Sequence, residues 1–231
     1  MVIKLSKRLQ TISEQLLKDK KLADIGTDHA YLPCYAYTKG IVPSAIGTEV
    51  NAGPYESALS FVRRSGLEHD IDIRLGDGLS VIEKGEVEQI TIAGMGGSLI
   101  VKILEQGKEK LHSVERLILQ PNVAEDKVRR WLYENGWTII HEKILEEDGM
   151  IYEIIVADKG KETKAFSEKD FLFGPYLREE KSDVFQKKWH NEWNKQQMIL
   201  RELSKASDSN KVRERRKKTE RMIRLIEEAL A

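Results

Sequence analysis

The chain is poor in residues that staple, ligate or span. One cysteine, Cys34, excludes an internal disulfide. Five scattered histidines, with no C-x-x-C or H-x-x-x-H spacing, argue against a metal. No apolar run approaches the roughly 20 residues needed to cross a bilayer, and nothing near Met1 resembles a secretory signal, so the expectation is a cytoplasmic protein with no membrane association. Net charge is lacking too, with 38 Lys+Arg against 38 Asp+Glu, but the balance is not local. Residues 160–231 hold 18 basic and 13 acidic residues, leaving 20 and 25 for residues 1–159. An acidic-leaning body carrying a basic arm points to an anionic partner.

What is present is enough apolar material for a core, 40% of 231 residues, in a length that fits one ordinary domain plus an appendage. Leu5, Leu9, Ile12 and Leu16 recur at helical spacing, which predicts an amphipathic helix from Lys4 to about Lys18. Leu22–Ile25 then reads as a first strand that breaks at Asp24-Ile25-Gly26-Thr27-Asp28-His29-Ala30 into a helix carrying Pro33 in its first turn. The full dinucleotide fingerprint is missing, since Asp28 and Ala30 stand where its second and third glycines would be. Gly26 still lets a ligand approach the backbone closely, and the next helix aims its free N–H groups at the same place.

Ser44–Glu49 is predicted as a second strand, followed by a helix opened by Asn51 and Pro54 that runs to Arg64. Glu49 lies 23 residues past Gly26, close to the offset at which an acid meets a ribose hydroxyl in Rossmann-type domains. A third strand, Ile71–Leu75, stops at Gly76-Asp77-Gly78. A fourth, Gln89–Ala93, breaks into Gly94-Met95-Gly96-Gly97 before a helix from about Ser98 to Glu105, and a fifth, Arg116–Leu119, ends in Gln120-Pro121-Asn122. After a helix from about Ala124 to Asn135, Trp137–Leu145 and Met150–Ala157 flank a turn rich in Asp and Gly and read as a β-hairpin.

A terminal hairpin puts an antiparallel last strand into an otherwise parallel sheet. The predicted fold is therefore α/β, a Rossmann-like class I domain of the kind that binds S-adenosylmethionine (SAM), with a mostly parallel seven-stranded sheet. Composition shifts after Ala157, which divides the chain into a methyltransferase domain over 1–159 and a helical hairpin, coiled-coil-like, over 160–231. Phe185, Trp189 and Trp193 are expected in the core of that hairpin.

An acid at one strand end is ordinarily a helix cap or turn former. Asp24, Glu49 and Asp77 stand at three successive strand ends, where an open α/β sheet binds its ligand, and their coincidence points to a cofactor site. Glu49 suits a ribose diol and Asp77 an adenine edge, while a carboxylate attracts a sulfonium by roughly 4 kcal/mol at 4 Å before desolvation. Gly26, Gly78 and Gly94 complete the cofactor candidates. Tyr31, Met95, Gly96, Gln120 and Asn122 face the acceptor side, and Arg213, Arg215 and Arg216 lie in the basic run Lys211–Lys218, which would serve otherwise as a solvated helix face. No Asn/Asp-Pro-Pro-aromatic sequence follows the fourth strand, which disfavours an exocyclic amine as the methyl acceptor.

The set formed by Ala23-Asp24-Ile25-Gly26-Thr27-Asp28-His29-Ala30-Tyr31-Leu32-Pro33, Thr48-Glu49-Val50-Asn51-Ala52-Gly53-Pro54, Gly76-Asp77-Gly78-Leu79, Ile92-Ala93-Gly94-Met95-Gly96-Gly97 and Leu119-Gln120-Pro121-Asn122 resembles the bacterial tRNA (adenine-22-N1)-methyltransferase family. The resemblance implies methyl transfer from SAM to adenine N1 of a tRNA. Asp28 and His29 are the candidates for the neighbourhood of the reacting base, the helical hairpin either grips tRNA or pairs with another copy, and the expected state is a monomer or weak homodimer. Two other classes stay open at this point: a SAM enzyme acting on a small molecule, which would need no basic arm, and a non-catalytic RNA-binding protein, which would bind no SAM. An NAD enzyme is disfavoured by the altered turn and the hairpin.

Overall fold

The computed structural model describes residues 3–207 and 209–231 and divides into two units, Met1–Ala165 and Phe166–Ala231. In the first unit the short apolar runs form the strands β1 (Leu22–Ile25), β2 (Ala45–Glu49), β3 (Ile71–Leu75), β4 (Gln89–Met95) and β5 (Arg116–Pro121), followed by the hairpin β6 (Trp137–Glu147) and β7 (Met150–Lys159). They make one seven-stranded sheet in the order β3-β2-β1-β4-β5-β7-β6. β1 to β5 are parallel, and β7 enters antiparallel between β5 and β6. Asp148 and Gly149, both with positive φ, form the two-residue hairpin turn, which suits the twist of the flanking strands.

β1 and β2 are buried at every position because helices cover both faces of a parallel sheet. The helices are α1 (Lys7–Ser13), α2 (Tyr31–Thr38), α3 (Ala52–Arg64), α4 (Gly97–Gln106) and α5 (Glu125–Glu134). Strand order reverses about β1, which lies between β2 and β4. The crevice at the carboxyl ends of these strands is the place where such sheets bind ligands.

Several elements differ from their sequence-based bounds. The first helix stops at Ser13 rather than Lys18. The buried side chain of Gln89 takes the N–H of Leu17 at 2.7 Å and donates to the carbonyls of Leu17 and Lys20, both at 2.9 Å, so the backbone there is bonded to β4 instead of continuing a helix. The apolar stripe survives: Ile12 is buried with Leu32, Ile118, Leu145, Ile154 and Val156, and Leu5, Leu9 and Leu16 pack around them. Strands β4 and β5 both run past their expected ends. Pairing continues across a bulge between Ala93 and Met95, so Gly94-Met95 is strand rather than loop.

Beneath the far edge of the sheet, Arg129 of α5 is wholly buried and donates to Glu142 of β6 at 2.7 Å and to Glu153 of β7 at 2.5 Å. This triad fixes the helix to the antiparallel hairpin. The second unit contains α6 (Glu168–Phe173), α7 (Leu177–Glu180), α8 (Asp183–Lys205) and α9 (Asn210–Leu230). Phe173 meets Trp189 edge-on at 4.4 Å, Phe185 and Trp189 are buried, and the Trp193 indole donates to Glu227 across α8 and α9 at 3.0 Å. Among the described residues no helix is long and apolar enough to cross a membrane.

Removing the cation of the triad strands two carboxylates in a dry environment. Arg129→Met is expected to lower unfolding free energy by about 3–5 kcal/mol, read from the denaturant midpoint. A loss below about 1 kcal/mol would show that the two glutamates are not held ionised by Arg129.

Candidate functional site

The crevice is built from the β1 turn outward. Gly26 adopts φ +73°, a conformation that strains any residue with a Cβ, and its N–H donates to Thr48 at 2.9 Å. Directly below it, Asp24 is buried. The Thr27 hydroxyl donates to its Oδ2 at 2.7 Å and the Thr91 hydroxyl to its Oδ1 at 2.5 Å. Burial pushes this carboxyl above its ordinary range, against the lowering influence of the two hydroxyls and of Arg8. Asp24 therefore supports the turn from beneath, joining β1 to β4.

Glu49, at the end of β2, accepts the backbone N–H of Asp28 at 2.5 Å, so the second strand holds the connection that follows the first. Its carboxyl is also raised above the ordinary 4.5, burial outweighing the bonds from the backbone N–H groups of Asp28 and Val50. Asp28 and Ala30 both have positive φ, at 55° and 56°, and such non-glycine conformations persist where surrounding structure over-determines them. Between them His29 is exposed, 3.8 Å from Asp28, and its ring stacks on Tyr31 at a centroid distance of 5.2 Å. Tyr31 in turn meets Phe61 edge-on at 4.8 Å. The result is a short aromatic shelf beside an exposed carboxylate.

The third acid, Asp77, is exposed, and the adjoining Gly76 N–H donates to the Glu49 carbonyl at 2.7 Å, which brings the β3 end against the β2 end. A cavity of about 300 Å³ lies on the Asp77–Ser80 side, lined also by Ile103, Gln106 and Lys110.

On the acceptor side a chain of side-chain amides holds the β4 bulge. Gln120 is fully buried, and its Oε1 accepts the Gly94 N–H at 3.0 Å and Nη1 of Arg8 at 2.7 Å. Its Nε2 donates to Asn122 Oδ1 at 2.9 Å, and Asn122 Nδ2 donates to the Gly94 carbonyl at 2.8 Å. Met95 reaches back to the β1 turn, where its Cε stands 2.3 Å from the place a Cβ on Gly26 would take. Gly96 precedes the first turn of α4, and Gly97 packs so closely that a Cβ would stand 2.2 Å from the Ala124 carbonyl oxygen.

The structure thus brings Asp24, Gly26, Asp28, His29, Tyr31, Glu49, Gly94, Met95, Gln120 and Asn122 to one end of the sheet, with Gly96 beside them and Asp77-Gly78 at the next strand. Arg213, Arg215 and Arg216 belong to the second unit. Arg213 and Arg215 are exposed, whereas Arg216 is half-buried and donates to the Leu203 carbonyl at 3.1 Å, pinning α9 to α8. Among the described residues no group of three or more His, Cys, Asp or Glu side chains could hold a metal ion. Sequence reasoning missed Thr91, whose role needs the β1–β4 register, and Arg8, which carried no motif signal and sat in a stretch read only as a covering helix.

A family model described as tRNA (adenine(22)-N(1))-methyltransferase matches residues 22–228. A curated relative of that name from Bacillus subtilis (strain 168) is 46% identical over 99% of this chain and 98% of its own length. A crystal structure of the B. subtilis M1A22 tRNA methyltransferase superposes with a TM-score of 0.95 at 45% identity, covering 100% of both chains. That of Streptococcus pneumoniae Sp1610, a putative tRNA (m1A22) methyltransferase, in complex with S-adenosyl-L-methionine, gives 0.90 at 43% identity over 99% and 100%.

The packing of Gly97 separates two kinds of glycine. Gly97→Ala is expected to cost about 1–3 kcal/mol because backbone stands in the way. Gly53→Ala, in α3 with open space around it, should leave stability unchanged or raise it by up to about 1 kcal/mol. Thermal unfolding of the two variants checks the contrast.

Proposed function

The chain belongs to the tRNA (adenine(22)-N(1))-methyltransferase family, and from that premise we propose how its crevice carries a methyl group from SAM to N1 of adenine 22 in a tRNA. The observation that carries the reading is the convergence of a left-handed glycine turn, two acids at neighbouring strand ends and an aromatic shelf at the switch point of the sheet.

SAM, when bound, supplies an electrophilic methyl on a sulfonium, which N1 receives as the thioether departs. Gly26 admits the cofactor's close approach, Glu49 accepts from the ribose hydroxyls, Asp77 from the adenine amine, and Gly78 and Gly94 border them. Asp24 supports the turn through Thr27 and Thr91. N1 has an in-plane lone pair, so no side chain needs to remove a proton before attack. Catalysis rests on placement, and well-oriented reactants gain roughly 7–11 kcal/mol. The target adenine must leave its helix or already be unpaired, and stacking on the His29–Tyr31 shelf returns about 1–3 kcal/mol of that cost. Asp28 stands where a carboxylate stabilises the cationic methylated base. Met95, Gly96, Gln120 and Asn122 shape the acceptor side.

The arm supplies a backbone contact for tRNA. Lys211 and Arg213 sit in the first turn of α9, where no acid is present, so these two charges oppose the helix dipole, and Arg215, Lys217 and Lys218 continue the basic run beyond it. An anionic phosphate backbone relieves that opposition. On this reading the protein acts in the cytoplasm, as a monomer or weak homodimer.

The direct test incubates the protein with labelled SAM and an unmodified tRNA transcript and maps the product by reverse-transcription stops. A stop at adenine 22 is expected; SAM binding without transfer to tRNA would overturn the reading in favour of a small-molecule acceptor. Replacing Arg215, Lys217 and Lys218 by Gln should leave the melting temperature unchanged or slightly raised. It should also raise KM for tRNA and lower the salt slope of binding by about 0.7–0.9 for each phosphate that is no longer neutralised. A small-molecule enzyme would show no change in rate.

Glu49 gives a pH dependence. Its raised pKa means protonation sets in above 4.5, so SAM affinity should begin to weaken above the ordinary glutamate range as pH falls, and Glu49→Gln should bind weakly without that dependence. In the free protein the sign is opposite: the raised carboxyl contributes stability below 4.5 that is lost as pH rises through its folded value. Calorimetric titration across mildly acid to neutral pH reads both.

A further inference from the structure

Arg8 belongs to α1, outside the strand-end turns, yet its guanidinium donates to the acceptor-side amide of Gln120. An arginine can only donate hydrogen bonds. Its Nη1 meets Gln120 at 2.7 Å, so the Gln120 atom there is the oxygen. That oxygen also takes the Gly94 N–H at 3.0 Å, a second donor that demands the same orientation. With Oε1 committed, Nε2 must face Asn122, whose Oδ1 accepts it at 2.9 Å, and Asn122 Nδ2 is then directed to the Gly94 carbonyl at 2.8 Å. Gln120 has no access to solvent through which it could turn over cheaply. Arg8 is itself held: α1 is anchored at the end of β6 by Glu147, which accepts the Lys7 N–H at 2.5 Å and the Arg8 N–H at 3.2 Å. The guanidinium lies over the Tyr152 ring at 5.4 Å.

The end of this relay, Asn122, is exposed. In the observed polarity its Oδ1 keeps a second lone pair, an acceptor suited to an exocyclic amine. In the reversed polarity it would present an N–H₂ group suited to a carbonyl. Resting on the adenine-N1 reading above, we infer that Arg8 is a positioning residue that, together with the Gly94 backbone, holds the donor–acceptor polarity of the Gln120–Asn122 relay, and that without Arg8 the relay loses enough of its bias to weaken the acceptor site's preference for a base with an amine, adenine, over one with a carbonyl at the same position. Arg8 acts through Gln120 and does not touch the reacting atoms.

The test compares wild type, Arg8→Met, Arg8→Lys and Gln120→Glu. Each is assayed for methyl transfer to a tRNA transcript with adenine at position 22, and for inhibition by the same transcript carrying inosine there, whose six-position is a carbonyl. Melting temperature and SAM affinity are measured alongside. Arg8→Met is expected to lower kcat at least tenfold, keep SAM affinity within about twofold, and bring inosine-transcript inhibition closer to the KM of the adenine transcript. Arg8→Lys, which still donates, should recover most of the discrimination. Gln120→Glu, which cannot donate to Asn122 when ionised, should lose it. An adenine-to-inosine ratio unchanged from wild type in both Arg8→Met and Gln120→Glu would overturn the inference while leaving the methyltransferase reading intact. Absence of transfer to position 22 by wild type in the same assay would overturn both.

Discussion

The hydrogen-bonded carboxyl of Asp24 is the constraint from which the crevice follows. It sits in β1 opposite Thr91 of β4 and holds that hydroxyl with one oxygen and the Thr27 hydroxyl with the other. The first bond ties two neighbouring strands at the place where strand order reverses, and the second ties the strand to the turn that must carry Gly26 at φ +73°. Residues 28 and 30 can then occupy left-handed conformations that cost free energy by themselves, because Glu49 grips the Asp28 N–H from the neighbouring strand. A buried acid is costly unless its oxygens are satisfied, and here satisfying them is what shapes the turn.

The same economy of buried polar groups recurs elsewhere, each time joining elements that are distant in sequence. Gln89 ends the first helix by bonding the backbone of residues 17 and 20. Arg129 joins α5 to both strands of the terminal hairpin through two glutamates. Gln120 links the first helix, the β4 bulge and Asn122. Apolar burial builds the layers, but these polar side chains decide where helices stop and which way loops turn.

That division explains what could be read from the sequence. Strands β1, β2 and β3 were legible because β-rich apolar runs stop at Gly or at an acid, and the terminal hairpin because Asp148-Gly149 lies between two such runs. The strand-end acids announced the crevice, but their separate roles did not show: Asp24 and Glu49 look alike in sequence, and only the β1–β4 register gives Asp24 a threonine on its neighbour. The overlong first helix has the same origin, since Leu16 continues the apolar stripe while Gln89, more than seventy residues away, removes the helical bonds. Arg8 was invisible for that reason too. Arg216, counted with the basic run, spends its guanidinium on the Leu203 carbonyl, a bond that only the hairpin creates.

The most direct check on this account is the SAM affinity of Thr91→Val, measured by calorimetry on protein shown to be folded. Thr91 is buried, and its hydroxyl bonds Asp24 at 2.5 Å and the Ala23 carbonyl at 3.5 Å, so the change removes no side chain proposed to touch the cofactor. A bond to a charged acceptor is worth about 1.5–3 kcal/mol, and if part of that holds the Gly26 turn in its ligand-ready shape, affinity should fall roughly tenfold. Affinity unchanged within twofold would contradict the claim that the Asp24 bonds organise the site.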